Sequence, residues 1–360
     1  SDPVERTGRE KGKRGDGLMR KLRTAVIGCG LISKNHFKAL KNLEDAECVA
    51  VCDIEREKAE TAAKNWGIGK IDTDYRELLK DPEIDVVHIC TPHYLHAQMA
   101  IDALHAGKHV LSEKPMALSV KDAEEMIRAR DDSGKQLGVC FQNRYNEASV
   151  YMKQLIESGK LGQVIGAKGS VTWDRKPPYY AESPWRGRWA TEGGGVLINQ
   201  AIHTLDLLQW LAGPVKSARA SISTKRLSEV IEVEDTADIL MMGEQGQRLL
   251  FYATNCYVKN APVELEIIGE KGSVKMVGNI VTTEIDGKIT TSDYSSGVVL
   301  GKDYWGSGHG FLIKDFYDCI KSGRLFPVSG EEALNSVKIL DAVYRSGKNG
   351  GTLYETDKKE

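Results

Sequence analysis

The segment Leu22-Arg23-Thr24-Ala25-Val26-Ile27-Gly28-Cys29-Gly30-Leu31-Ile32-Ser33 sets the architecture of the first half of the chain. It begins as an apolar run of strand length, turns on two glycines, and passes into a stretch of helical spacing. A strand that ends in a glycine turn and feeds a helix is the opening unit of a nucleotide-binding βαβ fold. Gly28 permits the tight turn, and Gly30 lets the backbone approach a pyrophosphate, which then rests on the positive end of the helix. Ser33 stands where the fingerprint has its third glycine and is small enough for close packing. With Cys29, Leu31 and Ile32, these residues form the expected cofactor loop. Such a turn also occurs between ordinary strands and helices, so the next carboxylate carries weight. Asp53 ends the second apolar run 23 residues after Gly30, the spacing of a carboxylate that binds ribose hydroxyls. A 2′-phosphate would meet the charge of Asp53 with Glu55 beside it, which favours NAD over NADP, although Arg56 lies close by.

From Leu22 onward, short apolar runs alternate with amphipathic segments, the pattern of a parallel sheet with crossover helices. Strands are predicted at Leu22–Ile27, Glu47–Cys52, Val86–Cys90, His109–Leu111 and Leu137–Phe141. A helix is predicted from Val120 to Asp132, with Ser119 and Asp122 as a capping box and Gly134 as its stop. This half reads as an α/β Rossmann domain over residues 22–142. The pattern changes near Gln142. One helix, Glu147 to Glu157, is followed by extended runs that include Val263–Ile268 and Val274–Val277, joined through Gly269-Glu270-Lys271-Gly272. Another pair is joined at Asp286-Gly287. These turn residues favour hairpins, so residues 143–360 are predicted to form an α+β domain with a large open, mainly antiparallel sheet. Two helices, Gly310–Ser322 and Glu331–Tyr344, close the chain. A second copy is the expected cover for the exposed sheet face, giving a homodimer or homotetramer.

A length of 360 residues suits two domains, each with a sizeable core. The net charge of −2 argues against nucleic acid or an anionic membrane as a main partner. Seven cysteines, an odd number without zinc-type spacing, read as small apolar residues in a reducing compartment, hence a cytoplasmic location. The most apolar helical stretch, Gly193 to Gly213, is interrupted by Asn199, His203 and Asp206, which argues against a membrane span. Residues 1–21 are rich in Gly, Lys and Arg and lack the apolar core of a secretory signal. They read as a disordered leader or expression remnant, with Met19 a candidate start.

The chemistry is expected at the carboxyl edge of the first sheet, where ligands of doubly wound folds bind. Thr91-Pro92-His93-Tyr94-Leu95-His96 follows the strand Val86–Cys90. His93 and His96 raise the question of a metal, but no nearby cysteine or carboxylate completes a ligand set, so none is expected. Thr91, Pro92 and His96 are read as cofactor contacts, the plainer alternative being a simple helix start. Lys114, in Glu113-Lys114-Pro115, lies at the same edge, and Pro115 biases it towards an extended conformation. An ammonium there can polarise a substrate hydroxyl; the alternative is a solvated surface lysine. After Gly193-Gly194-Gly195, a helix is predicted to carry Asn199, His203, Asp206 and Trp210 along one face. His203 suits a group that takes a hydroxyl proton as hydride leaves carbon, with a core histidine as the alternative. Asp206 either fixes its tautomer or anchors the helix.

Taken in order, Gly28-Cys29-Gly30, Thr91-Pro92, Glu113-Lys114-Pro115 and Gly193-Gly194-Gly195 through His203 resemble the Gfo/Idh/MocA oxidoreductases over nearly the whole chain after Met19. The resemblance implies NAD-dependent hydride transfer at a secondary alcohol of a sugar, sugar acid or cyclitol, with Lys114 and His203 as the catalytic pair. It also implies that Glu113 and Lys114, together with Asn143, Trp185 and Arg186, approach the cofactor. Many members of that family carry aspartate where this chain has Asn199, so a three-group relay is not expected and Asn199 is assigned to substrate orientation. The segment Trp173 to Trp189 is rich in aromatics and arginine, which stack on sugar rings and clamp anions, so Tyr179 is read as a substrate contact. Arg144, Tyr304 and His309 are candidates for the same role. Two other readings remain open: a redox-neutral glycosidase or lyase that holds NAD for transient oxidation, and a non-catalytic NAD-responsive regulator.

Overall fold

A computed structural model describes residues 20–295 and 308–357. The first half runs β1 (Leu22–Ile27), α1 (Ser33–Lys41), β2 (Ala46–Cys52), α2 (Arg56–Trp66), β3 (Lys70–Asp72), α3 (Tyr75–Leu79), β4 (Val86–Ile89), α4 (His96–His105), β5 (His109–Ser112), α5 (Val120–Ser133) and β6 (Leu137–Val139). All six strands are parallel, in the order β3-β2-β1-β4-β5-β6. The order reverses between β1 and β4, which opens a crevice at their carboxyl ends. Every predicted strand is present. The short strand β3 has no counterpart in the prediction, because three half-buried residues are too few to show a period. Helix α5 starts and stops as its sequence requires: Ser119 Oγ accepts the Asp122 N–H at 3.1 Å, and Gly134 ends it in the left-handed region at φ 65°.

After α6 (Glu147–Glu157) come β7 (Val164–Thr172), α7 (Pro177–Ala181), α8 (Ile202–Ala212), β8 (Val215–Ser223), β9 (Thr236–Gly243), β10 (Arg248–Thr254), β11 (Glu264–Gly269), β12 (Gly272–Val277), β13 (Ile280–Ile285) and β14 (Lys288–Asp293). Helices α9 (Gly308–Ser322) and α10 (Gly330–Lys348) and the short β15 (Tyr354–Glu355) complete the described chain. The second sheet has nine strands in the order β14-β13-β12-β11-β7-β10-β9-β8-β15. All its neighbours are antiparallel except β7 and β10. Both predicted hairpins form, and the second turns on Asp286 at φ 52° and Gly287 at φ 74°, the twist that matches paired strands. One face of this sheet buries Leu249, Phe251 and Ala253, while the other exposes Met242, Leu250 and Tyr252.

Two departures from the predicted elements shape the site. The helix expected directly after the glycine run begins only at Ile202, so Asn199 lies in the turn before it rather than on its face. Helix α9 returns to the first domain, where Tyr317 shares hydrogen bonds with Thr24 of β1 and His88 of β4. No helix among the described residues is long and apolar enough to cross a membrane.

Candidate active site

Strand β1 delivers its glycine loop into the crevice. Gly28 has φ +93°, and a Cβ there would lie 2.6 Å from the Cys90 carbonyl, so the close approach of β1 and β4 demands glycine. A Cβ on Gly30 would meet nothing within 4 Å, so the space beside it is open to a ligand. Asp53, at the end of β2, accepts the Cys29 N–H on Oδ2 at 2.8 Å and the Glu55 N–H on Oδ1 at 2.9 Å. The carboxylate thus braces the loop while staying part-exposed at the mouth of the crevice. These features fit a dinucleotide on the loop that carries Cys29, Leu31 and Ile32.

The Thr91-Pro92 loop and the Glu113-Lys114-Pro115 loop are tied together by His96. Its ring nitrogens face the Pro115 carbonyl at 2.7 Å and the Thr91 carbonyl at 2.8 Å, so the buried imidazole packs between the two loops and its single N–H, when neutral, donates to one of them, in place of the cofactor contact expected of His96. Lys114 is half-buried and reaches across to the turn before α8, donating from Nζ to the Asn199 carbonyl at 3.0 Å and towards Asn199 Oδ1 at 3.5 Å. Because the helix has not begun at Asn199, that carbonyl is free to accept. Burial lowers the pKa of Lys114, while Glu113 and Glu192 push it back up. His203, in the first turn of α8, is likewise half-buried, with its Nδ1 shut off from solvent. Burial first, and the Lys114 ammonium second, hold its imidazole well below its ordinary pKa, so it is a neutral ring at physiological pH. Gln142 Nε2 lies 3.3 Å from His203 Nε2. His203 Nδ1, Gln142 Oε1, Asn143 Oδ1 and Arg186 Nε are buried without a hydrogen-bond partner. Polar atoms in this state are available to a bound water or ligand.

Two profiles match the chain: the oxidoreductase family with an NAD-binding Rossmann fold over residues 22–141, and the GFO/IDH/MocA C-terminal domain over residues 149–275. The WlbA dehydrogenase from Bordetella pertussis, solved with NADH and UDP-GlcNAcA, is 32% identical at a TM-score of 0.81, over 93% of this chain and 99% of its own. The chain belongs to the Gfo/Idh/MocA oxidoreductase family. Inositol 2-dehydrogenase of Salmonella typhimurium is 26% identical over 338 residues, 92% of this chain and 96% of its own. A levoglucosan dehydrogenase complex with NADH and levoglucosan has a TM-score of 0.85 at 25% identity, covering 94% of this chain and all of the other.

Membership in this family makes the chain an NAD-binding oxidoreductase, and its other expected site residues divide into two groups. Tyr179, Trp185, Arg186 and Asn199 gather beside Lys114. The Arg186 guanidinium lies over the Tyr179 ring at 4.1 Å, Trp185 packs on His93 at 4.7 Å, and the Tyr179 hydroxyl accepts from Gln200 at 3.0 Å. Arg144 and Asp206, by contrast, hold each other. Arg144 donates through Nε and Nη2 to the two oxygens of Asp206 at 2.8 and 2.7 Å and through Nη1 to Glu332 at 3.0 Å. A guanidinium committed in this way is a fastener between the turn at Gln142–Tyr145 and helices α8 and α10, in place of the substrate contact expected of Arg144. Asp206 accordingly anchors the helix and does not orient His203. Tyr304 lies outside the described residues.

Glu113 is buried below Lys114, within hydrogen-bond reach of His36 Nε2 at 3.0 Å and His309 Nε2 at 3.4 Å. Burial raises its pKa, but His309 and His36 outweigh that and hold it well below the ordinary carboxylate value. Glu113 and His309 therefore lie in the floor of the site, beneath the surface a cofactor would touch. The polar chain continues from His36 to His88 at 2.9 Å and on to Tyr317. His36, Glu113 and Cys140 bring metal-ligating atoms within 4.8 Å of one another. His36 and Glu113 are already bonded to each other, and burial pushes the Cys140 thiol well above its ordinary pKa, so the trio reads as a hydrogen-bonded core.

Glu192, which no sequence pattern singled out, is the remaining ionisable group here. It is buried, and it accepts the Asn199 Nδ2–H on Oε1 at 2.6 Å and the Gly187 N–H on Oε2 at 2.5 Å. Preceding a run of three glycines, it looks like an ordinary loop carboxylate in the sequence.

Proposed function

We propose that this protein is an NAD-dependent dehydrogenase that moves hydride between nicotinamide and a secondary alcohol carbon of a sugar, sugar acid or cyclitol. The observation that carries the reading is the meeting of the half-buried Lys114 ammonium with the neutral His203 imidazole at the carboxyl edge of the Rossmann sheet. The loop from Gly28 to Ile32, with Asp53, Thr91 and Pro92, would hold the dinucleotide, and Asn143, Trp185 and Arg186 would bound the nicotinamide end. Bound nicotinamide supplies the hydride acceptor or donor at its C4. Lys114 holds and polarises the reacting oxygen, and the depressed basicity of His203 keeps it unprotonated and ready to take the hydroxyl proton. Asn199 and Tyr179 orient neighbouring hydroxyls. The carboxylate of Asp53 disfavours a 2′-phosphate, which supports NAD over NADP. Relatives named for inositol, levoglucosan and a complex with UDP-GlcNAcA support a carbohydrate-like substrate.

The exposed apolar face around Met242, Leu250 and Tyr252 supports self-association through the second sheet. Seven unpaired cysteines support a reducing compartment such as the cytoplasm.

The test is a screen of sugars, polyols, sugar acids and nucleotide sugars with NAD and NADP, followed by the absorbance of the reduced cofactor. Lys114→Ala and His203→Ala should retain NAD binding and lose at least about a hundredfold in turnover. A wild-type rate in either variant refutes the assignment of roles. Product without net reduced cofactor refutes the dehydrogenase reading in favour of redox-neutral chemistry.

A further inference from the structure

Between Lys114 and Glu192 stands a neutral carboxamide whose two ends face opposite partners. Asn199 Oδ1 lies 3.5 Å from the lysine ammonium, and its Nδ2 donates to Glu192 Oε1 at 2.6 Å. Asn199 Nδ2 also lies 3.4 Å from the Tyr179 hydroxyl, so the amide is held at both ends. An amide can satisfy a cation and a carboxyl group at once only in this orientation, oxygen to the ammonium and nitrogen to the carboxyl. Glu192 is itself clamped by the Gly187 N–H, and its backbone carbonyl faces His93 Nδ1 at 2.9 Å. We propose that Glu192 is a positioning residue for Lys114: through Asn199 it fixes where the ammonium points, and its charge sets the polarity of the crevice that receives the nicotinamide.

This inference rests on the NAD-dependent reading above. It adds an ionisable group to the Lys114–His203 pair and predicts how the site tells the oxidised from the reduced cofactor. Burial raises the Glu192 carboxyl to about 7, against the pull of the Gly187 and Asn199 hydrogen bonds and of Arg186 and Lys114. The groups that face it are the cations Lys114 and Arg186, the hydroxyls of Tyr179, Tyr180 and Tyr344, and His93. Burial keeps the three hydroxyls above their ordinary pKa and His93 well below its own, so among the hydroxyls, His93 and Glu192 it is Glu192 that changes charge near neutrality. The nicotinamide ring is cationic in NAD+ and neutral in NADH, so an ionised Glu192 favours the oxidised form and a protonated one the reduced form.

The experiment measures NAD+ and NADH affinities of the full chain by NADH fluorescence and its displacement, from pH 6 to pH 8.5. In the wild type, the preference for NAD+ should rise roughly fivefold through a midpoint near 7. Glu192→Gln should flatten that rise, with folding checked by thermal unfolding. Asn199→Ala removes a donor to the carboxylate and should move the midpoint upward; it decides the matter if Glu192→Gln does not fold. A flat wild-type profile, an unchanged profile in Glu192→Gln, or an unmoved midpoint in Asn199→Ala overturns the inference while the dehydrogenase reading stands. Failure of the wild type to bind either nucleotide overturns both.

Discussion

Replacing Asp206 by Asn tests whether this residue serves the chemistry or the scaffold. In the wild type, its carboxylate accepts from Arg144 at 2.7 and 2.8 Å and from Ser336 at 3.1 Å, with all three side chains buried. Asparagine keeps the shape but sets an N–H donor against a guanidinium, leaving a buried cation short of one acceptor. Breaking a buried pair from one side costs about 3–5 kcal/mol. Glu332, 3.0 Å from Arg144 Nη1 and half-exposed, retains part of the compensation, which places the expected loss near 3 kcal/mol. With a urea m-value of about 3 kcal/mol/M, the unfolding midpoint followed by circular dichroism should fall by roughly 1 M. Arg144→Met combined with Asp206→Leu should recover most of the loss, because no charge is then left unpaired. An Asp206→Asn protein that unfolds like the wild type yet loses turnover would refute the reasoning and return Asp206 to the histidine.

Four further outcomes follow from the fold and the site. Gly28→Ala forces an L residue to φ +93° with its Cβ 2.6 Å from a carbonyl, and should cost several kcal/mol of stability. Gly30→Ala meets no protein atom within 4 Å and should unfold normally while binding NAD about tenfold or more weakly, a contrast that calorimetry and nucleotide titration read directly. Asp53→Ser removes a charged acceptor worth about 1.5–3 kcal/mol, so NAD affinity should fall roughly 10- to 100-fold while NADP affinity rises; an unchanged preference would show that the carboxylate does not face the ribose. Stability should also depend on pH through Glu234, which accepts from the Gly195 N–H, the Leu197 N–H and the Tyr344 hydroxyl and is raised by burial from 4.5 to about 7. A carboxyl with a raised folded-state pKa contributes stability that is full below about 4.5 and lost as pH climbs to about 7. The loss is on the order of 3 kcal/mol; Glu192, raised by burial to about 7 as well, adds a loss over the same range, so Glu234→Gln should reduce the pH dependence of denaturation curves without abolishing it.

The first sheet was legible because each of its predicted strands is an apolar run bounded by Gly, Pro or a polar turn, and because Gly28, Gly30 and Asp53 obey a local spacing. Lys114 and His203 stood out because an ionisable group at a sheet edge or in an apolar helix is costly unless used. The helix start was misplaced because Asn199, His203, Asp206 and Trp210 recur at helical spacing, whereas the backbone before Ile202 is held by Glu234 across the domain. Arg144 was misread for a similar reason: its partners Asp206 and Glu332 lie 62 and 188 residues away.

The sequence by itself determined the doubly wound nucleotide-binding half and the antiparallel character of the second half. Both follow from steric rules and periodicities that act within a few residues. Tertiary structure alone decided the partner of Asp206, the histidine floor beneath Glu113 and the place of Glu192 behind Asn199. Each of these is a burial or hydrogen bond between distant segments, and the same side chain in water would carry none of it.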